Sequence, residues 1–118
     1  MKTGALYRAE KCLVPTVWVA SNPWTRLRGL LGRTPLASGA TEGLLIEPCA
    51  GVHTFGMRYP LDVVFLDASN RVVDMCENLA PWSVRSARAK ARKTLELTAG
   101  GITVIAPVLG EELIWRLH

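Results

Sequence analysis

The chain has no apolar stretch long enough to cross a bilayer as a helix. Its longest runs, such as Val63–Leu66 and Ile102–Leu109, fall far short of the ~20 residues that such a span needs. Cysteine is scarce: Cys12, Cys49 and Cys76 make an odd count with no CxxC pair. Neither a disulfide framework nor a zinc ribbon is therefore indicated, and reduced thiols in a cytosolic compartment are the simpler reading. Histidine is scarcer still, with only His53 and His118. There is no internal repeat, no low-complexity tract, and no RNP, KH, helix-turn-helix or P-loop signature. A large charge excess is also missing, since 14 Lys and Arg stand against 10 Asp and Glu. Small soluble domains often carry this much charge.

What is present suits one globular domain over residues 1–118. Of 118 residues, 49% are hydrophobic and 20% charged, close to globular averages and unlike disordered, collagenous or coiled-coil chains. At this length roughly two-thirds of the unfolded surface can be buried without staples. Leu13–Ala20 followed by Ser21 faintly resembles a signal-peptide core. Glu10 before it and Pro15 within it argue against export, so a cytoplasmic protein is expected.

The coarse pattern is of short strands and one helix. Thr16–Ala20 is β-branched and aromatic, a good strand. Ser21-Asn22-Pro23 then offers a cap and a proline for the first helical position. Trp24, Leu27, Leu30 and Leu31 follow at helical spacing, with Gly32 as a natural stop. Leu44–Ile46, Leu61–Leu66 and Lys93–Thr98 read as strands. Asp67–Asn70 turns Leu61–Leu66 back into Arg71–Met75 as a hairpin, and Glu112–Leu117 is a last strand. Between them, 99–110 is ambiguous: Ile102–Val108 is rich in β-branched residues, but Pro107 opposes a central strand. These elements predict a β-rich α+β domain. Its sheet would be small, mixed or antiparallel, or a partly closed barrel, with one short helix in the N-terminal half.

Chemistry concentrates in Cys49–Asp62. Cys49, His53 and Met57 stand four apart, as soft metal ligands could. A copper loop of this kind also needs a second histidine upstream, and the only other one is His118. No metal or cofactor is therefore expected. On an extended backbone His53, Phe55 and Met57 would point one way. Asp62 interrupts an apolar run and so needs a partner among backbone amides, Arg58 or His53. If that partner is His53, the aspartate could orient it as a general base. A Cys49–His53 nucleophile pair lacks a third group. Glu96, between Leu95 and Leu97, is expected on the face opposite theirs, at the surface by default, with a place as a second carboxylate near Asp62 the alternative. A second basic stretch holds Arg85, Arg88, Lys90 and Arg92 beside Trp82. It could grip phosphates and stack a base, although a solvated face is the plainer explanation.

Arg28-Gly29-Leu30-Leu31, then Cys49-x-x-x-His53-Thr54-Phe55-x-Met57-x-x-Pro60-Leu61-Asp62-Val63-x-Phe65-Leu66-Asp67, then Leu95-Glu96-Leu97-x-Ala99-Gly100 are together similar to the domain-of-unknown-function 192 family, over Val19 to Arg116. The resemblance implies a small β-rich domain with a helix near its N-terminus, and no established activity. It carries the family pattern onto Gly29, Leu30, His53, Phe55, Met57, Pro60, Leu61, Asp62, Glu96 and Gly100. Gly56 departs from it, standing where a bulky aromatic is usual, and Gly101–Ile105 replaces a more helix-like stretch. The resulting expectation is a monomeric ligand-binding or accessory module with no membrane partner. Its candidate pocket, for a small molecule, comprises His53, Phe55, Met57, Arg58, Asp62 and Trp82. The alternatives are a hydrolase-like enzyme using His53 and Asp62, or a weak nucleic-acid binder using Trp82 and the Arg85–Lys93 stripe.

Overall fold

The computed structural model describes residues 1–118. The chain enters as an antiparallel hairpin of β1 (Lys2–Arg8) and β2 (Lys11–Ala20). Helix α1 (Pro23–Arg28) starts where the local signals place it. Asn22 is extended, its side chain accepts the Thr25 N–H at 2.9 Å, and Pro23 occupies the first turn. The helix ends at Gly29, earlier than the Gly32 stop. Because β3 (Glu42–Ile46) runs parallel to β2, the chain needs a crossover there, and α1 lies within it.

The remaining strands are β4 (Gly51–His53), β5 (Leu61–Leu66), β6 (Val72–Leu79), β7 (Val84–Ser86), β8 (Lys93–Thr98) and β9 (Ile114–Leu117). Seven strands form one mixed sheet in the order β6-β5-β8-β3-β2-β1-β9, while β4 and β7 form a separate two-stranded ribbon. Only the β2–β3 pair is parallel. The sheet is open, with β6 and β9 at its edges, and is not closed into a barrel.

Alternation along the strands produces two cores. Val17, Leu45, Val64, Leu66, Leu95 and Leu97 face one side, where Ile102 and Ile105 pack on them. Ala20, Leu44, Ile46, Leu61, Val63 and Phe65 face the other, packed with Leu30, Val52 and Met57. Fully burying one such side chain stabilises the fold by about 1.5–3 kcal/mol. With both faces covered, every residue of β5 is buried.

The second helix, α2 (Gly101–Ile105), corrects the expectation of a single helix. Its β-branched residues favour strand locally, but tertiary contacts override that preference. Gly100 is left-handed at φ 94°, and the Gly100 and Ile102 amides donate to the Asp62 carboxylate at 3.1 and 2.9 Å. The Ile102 and Ile105 side chains are then buried. No helix is long and apolar enough to cross a membrane.

Candidate binding cavity

Thr54 organises the central loop. Its hydroxyl donates to the Ala80 carbonyl at 2.6 Å and accepts the Ser83 N–H at 2.8 Å. Its backbone N–H donates to the Ser83 carbonyl, and its carbonyl accepts the Trp82 and Met57 amides. Together with the β4–β7 ladder, in which His53 opposes Val84, these bonds bring two distant segments together. The Phe55 ring lies 5.1 Å from the His53 ring and 6.1 Å from that of Trp82. All three side chains are exposed.

The extended register expected for 53–57 is broken by a turn. Gly56 has φ +82°, a conformation that L side chains rarely adopt, and an added Cβ would come 2.9 Å from a Leu31 methyl. Met57 consequently turns into the core while His53 and Phe55 stay outside. All three nevertheless line one cavity of about 410 Å³. One wall is α1 and the segment after it, through Leu27, Gly29 and Leu31. The opposite wall comes from β4 and the central loop, and the floor from Ile46, Leu61 and Glu96 of the sheet.

The helical apolar stripe meets this cavity and solvent rather than a core. No residue of α1 is buried, and Leu27 is 66% exposed. Leu30, just beyond the helix, is the member of that stripe that enters the core.

Glu96 is the residue whose setting the sequence misjudged. Strand parity does place it opposite Leu95 and Leu97, but that face is covered as well. The side chain rises between Leu44 and Val63 of the flanking strands and is only 4% exposed. Its Oε2 is buried with no hydrogen-bond partner. Burial alone pushes its carboxyl up to about 7. The Tyr59 hydroxyl and Arg26 Nε are also buried without partners. Burial first, then the charge of Glu96, raises the Tyr59 phenol above its usual range. The signals that could have found Glu96 were an acid inside a strand and its place in the family pattern.

Asp62 lies elsewhere, against the expectation that it converges with His53 and Met57. Leu61 and Val63 face the cavity side, so its parity sends it to the α2 side. It is 1% exposed and accepts the Asn78, Gly100 and Ile102 amides. The backbone amides are thus its partners, not Arg58 or His53. Arg58 is exposed and lies outside the cavity lining. Cys49 lines the cavity, its thiol donating to the Gly51 carbonyl at 2.9 Å. No three of the His, Cys, Asp and Glu side chains gather into a ligand cluster.

The basic stretch does not form one face. Arg85 turns inward to Asp74 at 2.9 Å and packs 5.8 Å from the centroid of the Phe65 ring. Despite burial, the Arg88 and Met75 amides and the Arg85 charge hold Asp74 below the usual carboxylate range. Arg88, Lys90 and Arg92 remain exposed on the following coil.

A UPF0127 protein of Thermococcus sibiricus is 31% identical over 105 residues, 86% of this chain and 67% of that protein. A UPF0127 protein of Pyrococcus horikoshii is 38% identical over 66 residues, 56% of each chain. The chain thus spans from about half to two-thirds of the length of these relatives. Two solved structures share the fold. A Novosphingobium aromaticivorans protein of unknown function has TM-score 0.75 and 19% identity, covering 98% of this chain and 84% of that one. A candidate transcription regulator of Sinorhizobium meliloti has TM-score 0.78 and 24% identity, covering 97% and 92%. The family model described as "Uncharacterized ACR" matches residues 6–115, so the chain belongs to the domain-of-unknown-function 192 family, whose function is uncharacterised.

Proposed function

We propose that this chain is a binding module that takes a small, largely apolar molecule into the cavity between α1 and the sheet. The observation that carries this reading is the apolar lip. Leu27, Leu31 and Phe55 line an open hollow instead of joining either core, and Phe55 alone is 45% exposed. The volume of about 410 Å³ falls within the range of about 300–1,000 Å³ typical of small-molecule sites. Covering half of three such side chains would contribute about 2–4 kcal/mol before the costs of association.

A His53–Asp62 acid–base pair finds no support in this arrangement, because the two side chains belong to opposite sides of the sheet. A weak nucleic-acid contact is the second reading, favoured by exposed Trp82 with exposed Arg88, Lys90 and Arg92. Oligonucleotide binding that fades with added salt would support it. Absence of binding at low salt would remove it.

The cavity reading is tested with protein carrying ¹³C-methyl methionine. Met57 lines the cavity and Met75 does not, so the second is an internal control. Neutral apolar probes, indole and benzyl alcohol, should shift the Met57 methyl saturably and leave Met75 in place. Leu31→Asp should weaken that response. If neither probe shifts Met57 at about 10 mM, equivalent to about 3 kcal/mol of binding, the reading fails.

A further inference from the structure

We infer that the molecule taken by this cavity is an amphipathic amine, an apolar body whose cationic nitrogen sits on the Glu96 carboxylate. The inference rests on the cavity reading above and names the chemistry of its ligand. Glu96 lies on the cavity floor, more than nine-tenths buried, with Oε2 unpartnered and no ion pair to any Lys or Arg. An ionised acid left uncompensated there is costly, and a bound cation would offset that cost. An ammonium offers three N–H donors and the opposite charge, the combination that a bare carboxylate accepts most strongly.

The backbone above the acid keeps it open. Gly29 ends α1 at φ +53°, and a Cβ there would stand 3.6 and 3.9 Å from the two carboxylate oxygens. Any longer side chain would cover the acid that glycine leaves bare. The neighbouring cations do not fill the place either. Arg26 donates through Nη1 to the Pro48 carbonyl while its Nε stays buried and unpartnered, and Arg28 donates to the Leu31 and Gly32 carbonyls; neither forms an ion pair with Glu96. The other ionisable groups around the acid are Tyr59, with its unpartnered hydroxyl, and Cys49 and His53 in the cavity wall. None of them is hydrogen-bonded to Glu96.

The test compares three probes of one shape: phenethylamine, neutral 2-phenylethanol and anionic 3-phenylpropionate, each followed by the Met57 methyl signal. Phenethylamine should bind at least about tenfold tighter than 2-phenylethanol, the scale of one charge-assisted hydrogen bond. Glu96→Gln should bring the two within about twofold of each other, since it keeps the shape and removes the charge. Wild-type protein gives a second readout that needs no variant. The preference for the amine should grow about tenfold as pH rises from 6 to 8 and the acid ionises, while phenethylamine stays protonated. The same series in His53→Gln removes the rim imidazole from the comparison. A preference for 2-phenylethanol or 3-phenylpropionate, or an amine preference unmoved by both Glu96→Gln and pH, overturns the inference while the cavity reading stands. Silence of Met57 toward all three probes overturns both.

Discussion

Glu96 should make the protein less stable as the medium turns alkaline. An acid whose pKa is higher folded than unfolded binds its proton more tightly in the native state. Its contribution is therefore fully present below the unfolded value and is lost as pH rises through the folded one. For Glu96 those bounds are 4.5 and about 7. At about 1.36 kcal/mol per pKa unit, the interval corresponds to about 3 kcal/mol, most of it falling between pH 5 and 8. Exposure gives little relief, because the side chain is almost wholly shielded from water. Asp74 and Glu111, both held below the usual carboxylate range, are ionised throughout that window and contribute a constant.

The assay is urea unfolding at pH 5, 6, 7 and 8, followed by circular dichroism, on wild type and Glu96→Gln. The amide nearly preserves volume and removes the titration. Stability of the wild type relative to the variant should fall by about 2–3 kcal/mol from pH 5 to pH 8, so that the variant is the more stable protein at alkaline pH. Parallel pH profiles would show that the carboxylate is solvated or paired in the native state. An unpartnered, desolvated Glu96 would thereby be refuted.

Two further changes probe the frame around the cavity. Asp62→Ala strands the Asn78, Gly100 and Ile102 amides. At about 1–3 kcal/mol for each unsatisfied group, a loss of about 3 kcal/mol or more is expected in urea unfolding. Amide exchange at Ile102 should accelerate ahead of the rest of the chain. Thr54→Val removes the hydroxyl shared by Ala80 and Ser83, at an expected cost of about 1–3 kcal/mol. Faster exchange of the Trp82 and Ser83 amides should accompany it, and unchanged exchange there would deny the threonine its role in seating Phe55 beside Trp82.

The elements that could be read in advance are those whose causes lie within a few residues. Asn22 and Pro23 start α1 through bonds local to one turn, and the 67–70 turn joins β5 to β6. Helix α2 could not be read that way, since β-branched residues are held helical by an acid about 40 positions away. Arg85 belongs to the same class. Its partner Asp74 is on another strand, so spacing along its own segment suggested a basic stripe that the fold divides. The apolar spacing in and beyond α1 was legible but ambiguous. The same pattern serves a helix seated on a core and one that turns Leu27 and Leu31 toward an open cavity.

Asp62 and Glu96 show why the candidate site was only half visible. Both are acids in apolar strands, and β5 and β8 are hydrogen-bonded neighbours in which Asp62 opposes Leu97 and Val63 opposes Glu96. Composition treats the two acids alike. Parity separates them, sending Asp62 toward α2 and Glu96 toward α1, but parity cannot say which side is filled. The difference lies in what each side supplies. Around Asp62 three amides converge on a side chain that is itself buried, so the fold both partners the acid and closes it off. Above Glu96 the chain supplies a glycine, two arginines turned to carbonyls and a hollow. A carboxylate held by three amides of its own fold braces that fold, whereas one that is desolvated and left without a partner is the group on which the proposed binding rests. The proposed cavity therefore rests on its apolar lip and the choice of a cationic ligand on the unpartnered acid, and the histidine in its wall is secondary to both.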